Sequence, residues 1–232
     1  MRAYKSKENL RGDELSLRGL ASVLERVASE IPSPRVELEQ YTTPADLALK
    51  IALHAKLSGE LDDKDVVDLG AGTCRLALAA LLLGASRAVA VEADFRLSEI
   101  CLRAARELGL SERLLFVASM ICRDEGPIAS GAPSLVIMNP PFGVHRRGSD
   151  TEFLLYSFSL RPRRVYAILK SGNLSYHRRL ASKNGYEIRF LSKDSIDIPA
   201  SMKHHRSRVR RVKVDVFCFE RKEKERDSLT GR

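Results

Sequence analysis

The stretch Asp65-Val66-Val67-Asp68-Leu69-Gly70-Ala71-Gly72-Thr73-Cys74 decides the fold of this chain. Its first five residues predict a short buried strand, and a helix is predicted to follow at 73–83. The two glycines between them permit a tight turn and let a ligand approach the backbone, where a Cβ would collide. The helix would then point its first N–H groups at that ligand. Such a turn can also be purely structural, and the third glycine of the dinucleotide pattern is absent, which disfavours nicotinamide or flavin binding.

Strands and helices alternate on both sides of this turn. Helices are predicted at 16–30, 44–57, 94–108, 150–158 and 174–183, and strands at 88–91, 114–117, 135–138, 165–169, 186–198 and 209–219. This alternation predicts an α/β fold of parallel βαβ units with right-handed crossovers. The last two strands have no helix between them, so we expect them to pair antiparallel at one edge of the sheet. We expect one domain at 17–220, a flexible N-terminal arm at 1–16 and a charged C-terminal tail at 221–232.

The strand predicted at 135–138 ends on Asn139-Pro140-Pro141-Phe142. The prolines donate no N–H and restrict the residues before them to extended geometry, so the Asn amide and the carbonyls are held rigidly. An amide oxygen beside a carbonyl can grip an –NH2 group, and an aromatic ring can stack on the flat group that carries it. The alternative is a rigid turn without chemistry.

An acidic residue, Glu92, ends the strand that follows the glycine turn. About 20 residues after the glycines, a carboxylate can accept hydrogen bonds from both ribose hydroxyls of an adenosine cofactor. Glu92 could instead be a solvated charge or a helix cap. The glycine turn, Glu92 and Asn139 are expected at three strand ends of one sheet edge, a combination more specific than any single part.

Length and composition exclude several classes of protein. The chain has 232 residues of which 44% are hydrophobic, enough for one ordinary core. The longest apolar stretch, 76–85, is too short to span a bilayer, and the N-terminus has no apolar signal core. We therefore expect a cytoplasmic protein without a membrane partner. The four cysteines have no C-x-x-C spacing and are expected to be small buried hydrophobes, rather than zinc ligands or disulfides: Cys74, Cys101, Cys122 and Cys218.

The net charge of +9 suggests a polyanionic partner. Residues 200–213 contain no acid, and a second basic cluster, His145-Arg146-Arg147, follows the Asn-Pro-Pro-Phe turn. Basic residues clustered near a candidate site favour nucleic acid, although the first stretch could be a merely solvated hairpin loop. The candidate phosphate-binding residues are Arg146, Arg147, Lys203, His205, Arg206, Arg208, Arg210 and Arg211.

Several motifs together resemble one family. They are the glycine turn, Asn139-Pro140-Pro141-Phe142-Gly143, Leu38-Glu39-Gln40-Tyr41-Thr42-Thr43-Pro44 and the late Ile198-Pro199-Ala200-Ser201. The chain resembles the archaeal and eukaryotic RNA adenine-N6 methylases related to methyltransferase-like protein five, which modify small-subunit ribosomal RNA. The resemblance implies a Rossmann-like class I methyltransferase fold: a mostly parallel seven-stranded sheet with an antiparallel edge hairpin. It also implies S-adenosylmethionine as cofactor, no metal, ribosomal RNA as partner, and a small activator protein that pairs along a sheet edge.

The resemblance assigns roles to matched positions. Gln40, Tyr41 and Thr43 would close over the methionine end of the cofactor. Glu92 would hold the ribose, and Ser119 and Met120 would flank the adenine. The residues placed in or beside the glycine turn are Asp68, Gly70, Gly72, Thr73 and Arg75. The family usually has glycine at Cys74, aspartate at Ser119 and histidine at Leu169.

The predicted chemistry centres on the Asn-Pro-Pro-Phe turn. The Asn139 side-chain oxygen and the Pro140 carbonyl would accept the two hydrogens of adenine N6, and so free its lone pair for in-line methyl transfer. Pro141 would keep the turn rigid, and Phe142 would stack on the base. The same turn serves methylases of DNA adenine and of protein glutamine. A non-catalytic RNA-binding or assembly factor that retains the fold is a third alternative.

Overall fold

A computed structural model describes residues 16–123, 125–131, 133–143, 146–199 and 209–223. Its strands form one sheet of seven in the order β3-β2-β1-β4-β5-β7-β6. The strands are β1 Asp65–Leu69, β2 Arg87–Glu92, β3 Leu114–Ala118, β4 Leu135–Met138, β5 Arg164–Lys170, β6 Tyr186–Pro199 and β7 Val209–Arg221. The helices are α1 Leu17–Val27, α2 Ala45–Leu57, α3 Arg75–Leu83, α4 Ser98–Glu107, α5 Ser149–Ser159 and α6 Leu174–Lys183.

The first five strands pair in parallel, and the last two add an antiparallel edge. β1 lies between β2 and β4, and their registers place Leu69 beside Val91 and beside Met138. The carboxyl ends of these three strands therefore meet, and with them the loops that begin at Gly70 and Asn139. β7 pairs antiparallel with both β5 and β6. The predicted fold, a mostly parallel seven-stranded sheet with an antiparallel edge hairpin, is confirmed.

Both faces of the sheet are covered by apolar side chains. One buried cluster joins α1, α2 and α3 to the sheet, and the other lies between the sheet and α5. Every residue of α3 from Arg75 to Leu81 is buried, which explains the long apolar stretch as a core helix. In the part of the chain that the structure describes, none of the helices has the length and apolarity needed to cross a membrane.

The element bounds differ from the predictions mainly at helix ends. The first helix ends at Val27 rather than at residue 30, and the helix expected at 94–108 consists of a 3-10 turn at Phe95–Leu97 followed by α4. The arm at 1–16 and the tail at 221–232 stay predictions, because residues 1–15 and 224–232 lie outside the described ranges.

The expectation that the cysteines form no disulfide is wrong for two of them. Cys74 and Cys101 are bonded, with their Cα atoms 5.5 Å apart, whereas Cys122 and Cys218 are free. Cys218 is buried as expected, but Cys122 is exposed, because it lies in a loop after β3. The two bonded residues are 27 positions apart in sequence. They meet because Cys74 precedes α3 and Cys101 lies in α4, and the crossovers bring these helix segments together on one face of the sheet. Spacing along the chain does not reveal this pairing.

Candidate active site

A cleft of about 190 Å³ opens at the carboxyl ends of β1, β2 and β4. It contains many of the residues singled out from the sequence, together with some that were not. Its lining includes Gln40, Tyr41, Gly70, Gly72, Glu92, Ser119, Met120, Ile121, Asn139, Pro141, Arg146, Glu152 and Phe153. Loops from three parallel strand ends and the segment before α2 thus meet in one place, which is where open α/β sheets bind ligands.

The glycine turn is tied to β2 by the backbone. The N–H groups of Gly70 and Ala71 both donate to the Val91 carbonyl, at 2.9 and 3.0 Å. A Cβ on Gly70 would lie 3.0 Å from the Phe153 ring, whereas one on Gly72 would meet no protein atom within 4 Å. Gly72 therefore borders open room in which a ligand could approach the backbone.

Cys74 has a backbone conformation that favours glycine. Its φ is 63°, in the left-handed region where a residue with a Cβ is uncommon. The N–H of Cys74 donates to the Ala71 carbonyl at 2.7 Å, which closes the turn before α3.

Glu92 holds the glycine turn and the end of β2 together. Its Oε2 accepts from the Gly72 N–H and its Oε1 from the Asp94 N–H, both at 2.9 Å. Burial raises the pKa of Glu92, and these two hydrogen bonds oppose that rise. A carboxylate has about four lone-pair positions, so Glu92 keeps acceptor capacity for a further donor such as a ribose hydroxyl.

The Asn-Pro-Pro-Phe turn is in contact with Tyr41. The Tyr41 hydroxyl lies 2.8 Å from the Pro140 carbonyl oxygen and 3.3 Å from Asn139 Oδ1. Its ring stacks on Phe142, with centroids 4.8 Å apart and planes 24° from parallel. Burial raises the pKa of Tyr41 well above its ordinary value, so its hydroxyl remains a donor at neutral pH. We call Asn139 Oδ1 and the Pro140 carbonyl oxygen the acceptor pair.

The segment that carries Tyr41, which we call the strap (residues 35–44), is anchored by side chains on either side. The Gln40 amide oxygen accepts from the Arg35 N–H at 2.8 Å, and its nitrogen donates to Asp94 at 3.1 Å. The Arg96 guanidinium, with Nε 2.8 Å from Asp94 Oδ1, holds the pKa of Asp94 well below its usual range. Asp94 is therefore a charged, buried anchor, and the sequence analysis did not identify it.

Four residues assigned to the cofactor lie outside the lining of the cleft: Thr43, Asp68, Thr73 and Arg75. Asp68 Oδ2 accepts from the Ala77 N–H at 3.0 Å, and burial raises the pKa of Asp68 to about 7. Thr73 is buried. Arg75, 3% exposed, donates to the carbonyls of Ala28 at 2.8 Å and Thr43 at 3.0 Å. These residues support the turn and the strap from the side of α3.

Only some of the candidate phosphate-binding residues have side chains that the structure describes. Arg146 and Arg147 are exposed, and Arg146 reaches the mouth of the cleft, where its guanidinium lies 2.9 Å from Glu152. Arg211 pairs with Asp197 at 2.8 Å across the hairpin. The remaining candidates lie outside the residues whose side chains are described: Lys203, His205, Arg206, Arg208 and Arg210.

Phe153 and Glu152 are site residues that sequence reasoning missed. Both lie in the first half of α5 and line the cleft. In the sequence they are ordinary helix residues, and no spacing signal separates them from their neighbours. Within the described ranges, no group of three or more His, Cys, Asp or Glu side chains could hold a metal ion.

Comparison with known proteins relates the whole chain to methyltransferases. The chain is 32% identical over 208 residues to rRNA N(6)-adenosine-methyltransferase Mettl5 of Drosophila melanogaster, an alignment that covers 89% of this chain and 97% of that protein. The chain belongs to this methyltransferase family. The corresponding rRNA N(6)-adenosine-methyltransferase of Danio rerio is 28% identical, with 88% and 99% of the two chains covered. No family model matches the chain.

A solved structure supports the same assignment of the fold. The crystal structure of a proposed RNA methyltransferase from Pyrococcus horikoshii matches with a TM-score of 0.79 and 29% identity, over 90% of this chain and 98% of that one. The relatives reported above are named as methyltransferases. The cleft at the strand ends is therefore the place to look for methyl-transfer chemistry.

Proposed function

We propose that this protein transfers a methyl group from S-adenosylmethionine to N6 of adenine in RNA, and that its substrate is small-subunit ribosomal RNA. One observation carries the proposal. A single donor atom, the Tyr41 hydroxyl oxygen, lies 2.8 and 3.3 Å from the two members of the acceptor pair. The pair therefore converges on one donor position, as an exocyclic amino group requires, and the Phe142 ring lies beside it.

The acceptor pair suits the chemistry of an aromatic amine. The N6 lone pair is delocalised into the adenine ring, which makes the nitrogen a poor nucleophile. Two acceptors that take up its two hydrogens favour a tetrahedral nitrogen whose lone pair is localised and directed. A new N6–carbon bond then forms as the carbon–sulfur bond of the donor breaks, and the surplus proton leaves to water.

The cleft residues fit the cofactor. S-adenosylmethionine, when bound, supplies an electrophilic methyl group. Gly72 borders open room, and Glu92 retains acceptor capacity for ribose hydroxyls. Ser119, where relatives have aspartate, donates its hydroxyl to the Met120 carbonyl at 3.1 Å, so its oxygen remains free to accept from an adenine amino group. We assign these three residues to the nucleoside part of the cofactor.

Two further proposals concern binding partners. Arg146 and Arg147 would contact RNA phosphates at the mouth of the cleft. β3 is an edge strand, and Leu115 within it is 59% exposed, so we propose this edge as the place where a small activator protein adds a strand. From a ribosomal substrate we infer a cytoplasmic location.

The direct test is methyl transfer from labelled S-adenosylmethionine to total RNA of the source organism, followed by mass spectrometry of the nucleosides. We expect label in N6-methyladenosine of small-subunit RNA. Loss of an acceptor aimed at developing charge costs roughly 10²–10³ in rate, and we expect that loss for Asn139→Ala. Asn173→Ala is the matched control, because the Asn173 side chain makes no capping hydrogen bond at the start of α6.

The outcomes separate the alternatives. No transfer to any RNA would contradict the proposal, and transfer to DNA or to protein would favour the other acceptors of this turn. If calorimetry also detects no binding at millimolar S-adenosylmethionine, the protein is a non-catalytic factor that has kept the fold. A pull-down that recovers no small protein, or one that Leu115→Glu leaves unchanged, would count against the strand-addition site.

A further inference from the structure

The orientation of the Asn139 amide decides whether the acceptor pair exists. The amide has an oxygen at one end and an –NH2 at the other, and the two ends are nearly equal in size. With the oxygen toward the Tyr41 hydroxyl, at 3.3 Å, Asn139 and Pro140 both present acceptors. Turned by 180°, Asn139 would present a donor to the incoming amino group, and only the Pro140 carbonyl would remain as an acceptor.

Thr43 is the partner of the amide end that faces away from the acceptor pair. Asn139 Nδ2 donates to Thr43 Oγ1 at 2.9 Å. A threonine hydroxyl can accept from an –NH2 or donate to an oxygen, so Thr43 can satisfy either end of the amide, whereas the target amino group donates both its hydrogens and requires the oxygen end. With the oxygen toward the target, Thr43 is the acceptor that keeps the buried –NH2 hydrogen-bonded. Thr43 is 9% exposed, so water can do little to replace the contact.

Thr43 is itself held in position from the core. Arg75 Nη1 donates to the Thr43 carbonyl at 3.0 Å, and Arg75 Nε donates to the Ala28 carbonyl at 2.8 Å. Arg75 is 3% exposed and belongs to α3, the helix that follows the glycine turn. A rigid helix thus fixes the backbone of Thr43, and Thr43 fixes the amide of Asn139.

We propose that Thr43 is a positioning residue, which accepts from the Asn139 –NH2 and so stabilises the orientation in which the amide oxygen faces the target amino group. This role differs from closure over the methionine end of the cofactor, which the resemblance implied. The inference rests on the proposed function, because it assigns the amide oxygen to adenine N6. It also predicts a basis for selectivity: a fixed acceptor pair favours a 6-amino purine over a 6-oxo purine.

The test compares Thr43→Val with Thr43→Ser in the full chain. Valine has nearly the same shape as threonine but accepts no hydrogen bond, whereas serine keeps the hydroxyl. Losing one hydrogen bond and freeing the amide to turn should lower kcat about tenfold or more in Thr43→Val. We expect Thr43→Ser to stay within about threefold of the wild type, and the Kd for S-adenosylmethionine to change by less than about threefold in both variants.

The matched control is the same change one residue earlier. Thr42 is also buried, 8% exposed, and its hydroxyl has no hydrogen-bond partner in the described structure. Thr42→Val therefore changes the same atoms in the same strap without removing a contact, and we expect the wild-type kcat. Equal kcat values for Thr42→Val and Thr43→Val would overturn the proposal.

A second measurement reports on amide orientation itself. Oligonucleotides that carry adenosine or inosine at the mapped methylation site can compete for the enzyme. The wild type should discriminate strongly against the 6-oxo base, and Thr43→Val should narrow that discrimination severalfold, because a turned amide can donate to a carbonyl. Unchanged discrimination would contradict the proposal.

If Thr43→Val does not fold, Thr43→Ala provides the same comparison without the added methyl group. Thr43→Ala should then show the lowered kcat and the narrowed discrimination expected for Thr43→Val. Equal kcat values for Thr43→Ala and Thr43→Ser would overturn the proposal. If the wild type itself transfers no methyl group to RNA, the proposed function fails, which is distinct from failure of the Thr43 assignment.

Discussion

The Tyr41 hydroxyl occupies the acceptor pair that the target amino group would use, so the two cannot bind there at once. Its oxygen lies 2.8 Å from the Pro140 carbonyl, and its ring covers Phe142 at 4.8 Å. A target adenine that stacks on Phe142 must therefore displace Tyr41. The contacts that hold Tyr41 in place therefore oppose substrate binding. Tyr41→Phe should weaken this opposition, because it removes the hydroxyl and keeps the ring.

The size of the effect follows from the contacts that the hydroxyl makes. One short hydrogen bond to Pro140 and a longer one to Asn139 are lost in Tyr41→Phe. A typical net contribution of about 0.5–1.5 kcal/mol converts to a factor of about 2 to 12. The closed arrangement becomes less favourable by this amount, so the KM for RNA should fall about 2- to 12-fold. The kcat should change little, since the hydroxyl is absent from the site when the base is bound.

Steady-state kinetics with labelled S-adenosylmethionine and varied RNA measures both constants. Tyr176→Phe is the control: its hydroxyl lies 3.0 Å from that of Thr151, and neither residue lines the cleft. A raised KM, or a kcat lowered by about 100-fold, would refute the reasoning. Either result would mean that the Tyr41 hydroxyl contacts the substrate or assists the transfer instead of competing with the target base.

Three further predictions concern stability. Burial raises the pKa of Asp68 to about 7, above an unfolded value of about 3.9. The protonated carboxyl group of Asp68 therefore stabilises the folded state below about pH 4, and this stabilisation is lost as pH rises through 7. Urea denaturation should show that the free energy of unfolding falls by on the order of 4 kcal/mol over that range. In Asp68→Asn this dependence on pH should be much weaker. Arg75→Met should lower the free energy of unfolding by about 2–4 kcal/mol, since buried carbonyls lose a charged donor. Arg87→Met is the control: Arg87 forms an exposed ion pair, and its loss should lower the free energy of unfolding by less than about 1 kcal/mol. The Cys74–Cys101 disulfide closes a loop with a sequence separation of 27, so its reduction should lower the free energy of unfolding by about 3–4 kcal/mol. Alkylation of the unfolded, unreduced protein should label two of the four cysteines.

The predictable part of this molecule is the part encoded locally. The glycine turn, Glu92 and the Asn-Pro-Pro-Phe turn each lie at the end of a recognisable strand, and the topology of parallel sheets places such ends together. The sequence order of these motifs was therefore enough to predict their meeting. The seven-stranded sheet followed from the same alternation and from the resemblance.

Contacts between distant segments were not predictable in this way. Tyr41 meets the Asn-Pro-Pro-Phe turn across 98 residues, and Cys74 meets Cys101 across 27. The strap reaches the cleft because Arg75 and the buried Asp94 anchor it, and neither anchor has a local signature in the sequence. Phe153 was missed for the same reason, since only the packing of α5 brings it against Gly70.

Resemblance named residues that meet in the structure, but it did not give their contacts. Thr43 and Arg75 were assigned to the cofactor as separate positions, yet they form one chain of hydrogen bonds that ends on the amide of Asn139. A motif match records that a residue type is present, whereas its role depends on which atoms it faces. The joint occurrence of the Gln-Tyr-x-Thr and Asn-Pro-Pro-Phe motifs then has a physical reason, because Tyr41 and Thr43 of the strap contact the Asn139 side chain. Of the two departures in the cofactor pocket, Cys74 has a left-handed backbone conformation. The other is Ser119, and Ser119→Asp should strengthen binding of S-adenosylmethionine if its side-chain oxygen accepts from the adenine amino group.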